Sequence, residues 1–113
     1  MIKNDKATEK YTFRVEWSEE DKAHIAHCLE FPSIMTHGNT PGKALKAAEH
    51  AVTAAIEWMR EDGEAVPEPF GTKNYKGNLT LRIPSDIHRK VAIRAAEEGV
   101  SINQYILSRI SYT

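Results

Sequence analysis

Three groups of side chains in this 113-residue chain have the types and spacing to do chemistry. His24, His27, Cys28 and His37 lie close together and are the imidazole and thiolate donors that zinc prefers, and Cys28 beside a histidine also has the parts of a thiol nucleophile. Glu16, Glu19, Glu20, Asp21 and Glu30 are the carboxylates from which a divalent-cation centre is built. Asn78, Thr80 and Arg82 alternate with Leu79, Leu81 and Ile83, so that three polar side chains share one face of an extended segment.

The elements that carry these residues decide among the chemistries. Tyr11 to Trp17 alternates apolar and polar residues with a period of two and reads as a half-buried strand. The charged run Ser18 to Lys22 reads as a turn, Ala23 to Leu29 as the returning partner of a hairpin, and Ser33 to His37 as a third short strand. On such a strand His24 and Cys28 face one side and His27 the other, so they do not converge with tetrahedral geometry and no metal is expected. A cysteine on an alternating strand among acidic residues is a buried or high-pKa thiol rather than a nucleophile. Four of the five carboxylates sit in or beside a turn without convergent geometry, and no glycine-rich phosphate loop occurs. The chain reads as non-enzymatic, with no cofactor.

A helix is expected from Pro41 to Asp62, because Thr40 is a good N-cap, Pro41 suits the first helical position and Gly63 can close the end in a left-handed conformation. Leu45, Ala48, Val52, Ala55 or Ile56, and Met59 recur on one face, which must pack on the strands. Segment 63–77 collects two prolines and three glycines and reads as a linker or an extension hugging the edge of the first domain. The organisation is then a first domain over 1–70, a linker over 71–76 and a second domain over 77–113.

The net charge of −1 conceals an asymmetry. Residues 1–70 carry 8 basic and 13 acidic residues, a net −5, whereas 71–113 carry 7 and 3, a net +4. A basic end on an acidic body suggests a polyanion for that end. With 41% hydrophobic and 27% charged residues the chain is expected to be globular. Charges interrupt every apolar stretch short of the roughly 18 residues of a membrane span. The N-terminus has no apolar core of a secretory signal, and the single cysteine fits a reducing compartment, so a cytoplasmic location is expected.

In the basic end, Asn78 to Ile83 reads as one short strand, Pro84-Ser85-Asp86 as its stop and the N-cap of a helix carrying Ile87, Val91 and Ala95 up to Gly99. A second helix opens at Ser101, where Ser101 and Gln104 make a capping-box pattern, and its apolar face is Ile102, Ile106 and Ile110 with Leu107 beside it. One strand and two helices, below about 40 residues, cannot bury three apolar faces alone. Pairing the strand with its copy across a two-fold axis satisfies both ladders, so an obligate homodimer is expected. The apolar face of that ribbon lies on the helices and Asn78, Thr80 and Arg82 of both chains face outward. A two-stranded ribbon fits the DNA major groove, where asparagine pairs well with adenine and arginine with guanine.

The run LTLRIPSDIHRKV followed by AEEGVSINQYILSRI resembles a ribbon-helix-helix DNA-binding domain of the Arc and MetJ kind over all of 77–113. The resemblance implies that Asn78, Thr80 and Arg82 read bases in operator DNA and that the amides of Ser101, Ile102 and Asn103 hold a phosphate, as the positive end of a helix would. Residues 11–70 resemble a HicB antitoxin domain in Glu30-Phe31-Pro32, in Thr36-His37-Gly38-Asn39-Thr40 and in the ending Asp62-Gly63-Glu64 to Pro67-Glu68-Pro69. They depart from that pattern at Ser33-Ile34, where the family usually has Gly-Cys, and at Gly42-Lys43, where it has acidic residues. This second resemblance implies an α+β fold overall: a partly RNase H-like sheet packed on one long helix, followed by the ribbon-helix-helix unit. It also implies a HicA-type mRNA-cleaving toxin as partner, for which the acidic body is a suitable electrostatic complement. The alternative class is a stand-alone transcriptional regulator whose first domain mediates oligomerisation or senses a ligand. Assembly beyond the dimer is left open.

Overall fold

A computed structural model describes residues 7–111. Contacts divide the chain into two units, Met1–Tyr75 and Lys76–Thr113. The architecture is α+β, with a three-stranded antiparallel sheet and three main helices.

In the first unit β1 (Phe13–Ser18), β2 (Ala23–Cys28) and β3 (Phe31–Gly38) form a meander in the order β1-β2-β3. Opposed residues share a face, so the pairs Phe13 with Cys28 and Val15 with Ala26 turn the apolar positions of β1 and β2 to one side. The β1–β2 turn is fixed by the Ser18 hydroxyl, which accepts from the Asp21 amide at 3.1 Å, and by Lys22 at a positive φ of 51°. A register shift between His27 and Cys28 brings Phe31 opposite Cys28. That irregularity lets β3 begin at Phe31, two residues before the alternation of the sequence suggests.

Helix α1 (Pro41–Asp62) has the expected bounds. The Thr40 hydroxyl accepts from the Lys43 amide, and Gly63 adopts φ 75° while the amides of Gly63 and Glu64 donate to the carbonyls of Arg60 and Met59. Its buried face is Ala44, Ala48, Val52, Thr53 and Ile56. The stripe starts at Ala44 and not at the expected Leu45, because β3 ends against the helix backbone. A Cβ on Gly38 would lie 2.4 Å from the Ala44 nitrogen, and only small residues fit there. Two clusters make the core: Ala26, Ala44 and Ala48 where helix and sheet approach closely, and Cys28, Phe31, Val52 and Ile56 where larger side chains interdigitate.

Past α1 the chain stays on the first unit through Tyr75. Val66 packs on the larger cluster, the Tyr11 hydroxyl donates to the Pro67 carbonyl at 2.7 Å, and the Phe70 amide donates to Glu30 at 2.8 Å. Residues 63–75 thus run along the first unit, and contacts divide the chain after Tyr75.

The second unit contains α2 (Ser85–Glu98) and α3 (Ile102–Ile110), joined at Gly99 with φ 73°. Pro84 occupies the cap of α2 and supplies no side-chain hydrogen bond, so the helix opens one residue earlier than a Ser85 or Asp86 cap would place it. The reciprocal Ser101–Gln104 capping box opens α3. The buried residues of the pair are Ala95 and Tyr105, with Arg109 stacked 4.8 Å from the Tyr105 ring and paired to Glu98 at 3.1 Å. Ile110 and Leu107, expected on the apolar face of α3, are exposed, as is Ile87 of α2. Two helices of one chain have no third surface against which to bury them. For the same reason residues 78–83 carry the alternation of a strand but form no ladder: a strand exists only with a partner, and the single chain offers none.

Candidate functional site

The second unit holds the residues expected to read nucleic acid. Asn78, Thr80 and Arg82 are all exposed on the extended stretch before α2. Between them Leu79 is 93% exposed and Leu81 64% exposed, an unusual surface for a leucine pair. Apolar and polar residues thus alternate along a segment with its backbone unpaired.

Ser101, Ile102 and Asn103 form the start of α3, where first-turn amides have no intrahelical acceptor. The capping box uses two nearby donors: the Ser101 amide donates to Gln104 Oε1 at 3.3 Å and the Gln104 amide to Ser101 Oγ at 3.0 Å. The amides of Ile102 and Asn103 stay available for an anion, while that of Ser101 is already engaged. No acidic residue occupies the first turn to compete for them.

In the first unit, α1 covers one face of the sheet and the other is bare. Register places Arg14, Glu16, Ile25, His27, Met35 and His37 on that bare face. Glu16 lies 3.5 Å from the Arg14 guanidinium and 3.7 Å from His27 Nε2, and Asp21 lies 3.4 Å from His37 Nε2. A shallow depression of about 310 Å³ opens here, lined by Arg14, Glu16, His27, Cys28, Leu29 and Pro32. Sequence reasoning had not joined these residues into a surface; the strict alternation of β1 held the signal, since Arg14 and Glu16 must leave the core together.

The residues considered for catalysis are placed apart. His24 and Cys28 share the helix-facing side of β2 with Trp17 and Phe13, and His27 points to the bare side. Among the described residues no group of three or more His, Cys, Asp or Glu side chains is placed to hold a metal ion. Burial pushes the Cys28 thiol up to about 11, with the neighbouring Glu30 carboxylate opposing ionisation as well, so the sulfur is a poor nucleophile at neutral pH.

Glu30, considered above as a cation ligand and as part of the Glu30-Phe31-Pro32 stretch, is a buried hydrogen-bond acceptor, a role that the sequence did not distinguish. It is 6% exposed, and among the described residues it has no ion-pair partner. Its oxygens accept from the Thr12 amide at 3.0 and 3.2 Å, the Thr12 hydroxyl at 3.0 Å, the Phe70 amide at 2.8 Å and the Cys28 thiol at 3.4 Å. Burial alone would raise its pKa, but the amides of Phe70 and Thr12 outweigh burial and hold it below the ordinary carboxylate value. The only trace in the sequence is a charge set between Leu29 and Phe31.

Comparison with known proteins gives one family and its members. A model of the HicB family matches residues 56–110, from the last turns of α1 through α3, so the match falls mainly on the segment after α1 and the second unit rather than on the N-terminal hairpin. Antitoxin HicB of Escherichia coli (strain K12) is 26% identical over 86 residues, and Antitoxin HicB of Escherichia coli O157:H7 shows the same identity over the same length. Those residues are 76% of this chain and 61% of each relative, so the chain spans about three fifths of the length of the curated proteins it matches. What this chain resembles, by family model and by relatives alike, is a HicB antitoxin.

Proposed function

We propose that this chain is a non-enzymatic antitoxin of the HicB type, which binds and neutralises a small HicA-type mRNA-cleaving toxin and represses its own operon by binding operator DNA as a homodimer. The observation that carries the reading is the similarity to Antitoxin HicB over 86 residues. The acidic first unit complements a basic RNA-cleaving partner, and its partly RNase H-like sheet leaves one face free for contact.

In the same reading residues 77–113 are a ribbon-helix-helix unit. Two copies pair their 78–83 segments, which buries Leu79, Leu81 and the exposed isoleucines of α2 and α3 between them. Asn78, Thr80 and Arg82 then face the major groove, and the α3 start at Ser101, Ile102 and Asn103 holds a backbone phosphate. No described helix is long and apolar enough to cross a membrane, in keeping with partners that are DNA and protein.

Co-expression of the tagged full chain with the product of the adjacent small open reading frame tests the reading. Recovery of a complex together with rescue of growth supports it. A toxic neighbour that neither co-purifies nor is neutralised overturns the antitoxin half, and a promoter fragment that the purified chain does not shift overturns the repressor half.

A further inference from the structure

The segment that follows α1 is held to the first unit at three points without regular secondary structure of its own. Val66 enters the core cluster, Pro67 accepts from the Tyr11 hydroxyl, and the Phe70 amide reaches Glu30. A tight turn then closes on Pro69, whose carbonyl accepts from the amides of Thr72 and Lys73, and the Tyr75 hydroxyl returns to the Phe70 carbonyl at 3.0 Å. Phe70 itself is exposed, so its ring adds little packing and its amide carries the contact.

Glu30 is an expensive way to make that contact. A buried carboxylate without a cation is tolerated only when hydrogen bonds replace its hydration. Thr12 supplies two of those donors from the entrance to β1, Cys28 supplies a weak one from the end of β2, and Phe70 supplies the shortest from the strap. Removing the strap would take from Glu30 Oε2 the shortest of its three hydrogen bonds and leave it with Thr12 alone, which ties strap docking to the state of this one side chain.

We propose that residues 64–75 form a latched strap, with Glu30 as the latch and the Phe70 amide as its catch, and that the latch sets the length of the tether to the second unit. With the latch closed, the first unit holds its chain through Tyr75. With it open, free chain begins at Glu64, and the added residues extend the reach by about 40 Å at full stretch. Whatever binds the first unit and competes for Thr12 or Glu30 would therefore lengthen the tether. The inference concerns the first unit and the chain leading out of it, and stands independently of the antitoxin reading.

Two substitutions in the full chain separate the amide of Phe70 from its ring. Phe70→Pro deletes the donor together with the ring, at the second position of a turn where proline is well accepted, and Phe70→Ala deletes the ring but keeps the donor, so the difference between the two reports the donor alone. Backbone order parameters for 66–73 should drop from about 0.85 to below about 0.6 in Phe70→Pro and stay high in Phe70→Ala, with β2 unchanged in both. Tryptic cleavage after Lys73 should rise about tenfold or more in Phe70→Pro alone. Glu30→Gln should behave like Phe70→Pro, and if it unfolds the unit outright, Phe70→Pro still decides. A strap as rigid in Phe70→Pro as in the native chain, or one released equally by Phe70→Ala, overturns the latch.

Discussion

Gly38 and Ala44 touch backbone to backbone: a Cβ added at Gly38 would stand 2.4 Å from the Ala44 nitrogen and 2.9 Å from its Cα. The end of β3 and the first turn of α1 are thus in direct contact, and the Thr36 hydroxyl adds a 2.8 Å hydrogen bond to the Ala44 carbonyl. Neither backbone can retreat without drawing Ala44 and Ala48 of the helix away from Ala26 of β2. Gly38→Ala should destabilise the first unit by about 1–3 kcal/mol, the usual range for overpacking. A urea titration of the full chain measures it, and an unchanged midpoint would show that β3 yields freely.

Cys28 predicts an alkaline limit to stability. Its thiol is held at about 11 against an ordinary value near 9, so the folded chain keeps the proton more firmly than the unfolded chain does. The stability linked to it is fully present below about pH 9 and is lost as pH climbs through about 11. Tyr11, raised above 10 chiefly by burial, acts in the same direction. Urea midpoints should fall between pH 9 and 11, with a shallower fall in Cys28→Ala. The native thiol should resist iodoacetamide at pH 8 and react readily once unfolded.

Glu30 sets the opposite limit. Its folded pKa lies below the ordinary carboxylate value, so its contribution is present above that value and disappears as pH falls through the folded one. Glu30→Gln should cost about 1–3 kcal/mol at neutral pH, since an amide nitrogen meets donors where an oxygen accepted them. It should also flatten the acid side of the stability profile. An acid limb identical in mutant and native chain would assign acid sensitivity to other carboxylates.

Much of this architecture is legible along the chain because the devices that fix it are local. Thr40, Pro41 and Gly63 bound α1 to the residue, and Ser101 with Gln104 opens α3, since caps act within a single turn. The alternation of β1 predicts its two faces for the same reason. What the sequence hides is set by encounters between distant residues. Nothing near Leu45 indicates that Ala44 takes its place on the buried stripe; that follows from Gly38 arriving from β3. Nothing near Glu30 announces Phe70, forty residues on. Segment 78–83 is the converse case, with the alternation of a strand but no ladder among the described residues. The exposed polar face of Asn78, Thr80 and Arg82 is legible in the alternation, whereas the engagement of the Ser101 amide by the capping box, which leaves those of Ile102 and Asn103 without an intrahelical acceptor, is seen only in the structure.

Arg82 tests the base-reading face. Arg82→Ala should abolish a specific gel shift while leaving the dimer intact, because a bidentate arginine–guanine contact contributes about 1–3 kcal/mol in each half-site. If the 78–83 segments pair as proposed, Leu81→Asp should act differently, giving a monomer in sedimentation and losing DNA binding as a consequence. Native affinity in Arg82→Ala would place the reading face elsewhere.

Salt separates the two binding activities proposed here. DNA is wrapped in condensed counterions, and each phosphate neutralised by a protein cation releases one into bulk, so affinity falls linearly with log salt. In the proposed dimer, a phosphate held at the start of α3 and the cations Lys73, Lys76, Arg89 or Lys90 expected to flank the ribbon would together neutralise about 4–6 phosphates, for a log–log slope near −4 to −5. A protein partner on the acidic first unit releases few ions, because its interface mixes apolar and polar contacts, although attraction between surface charges still speeds encounter at low salt. Between about 50 and 300 mM salt the operator affinity should therefore fall by orders of magnitude while toxin neutralisation stays nearly level. A flat response for DNA would mean that the +4 charge of residues 71–113 solubilises the unit and does not engage phosphate.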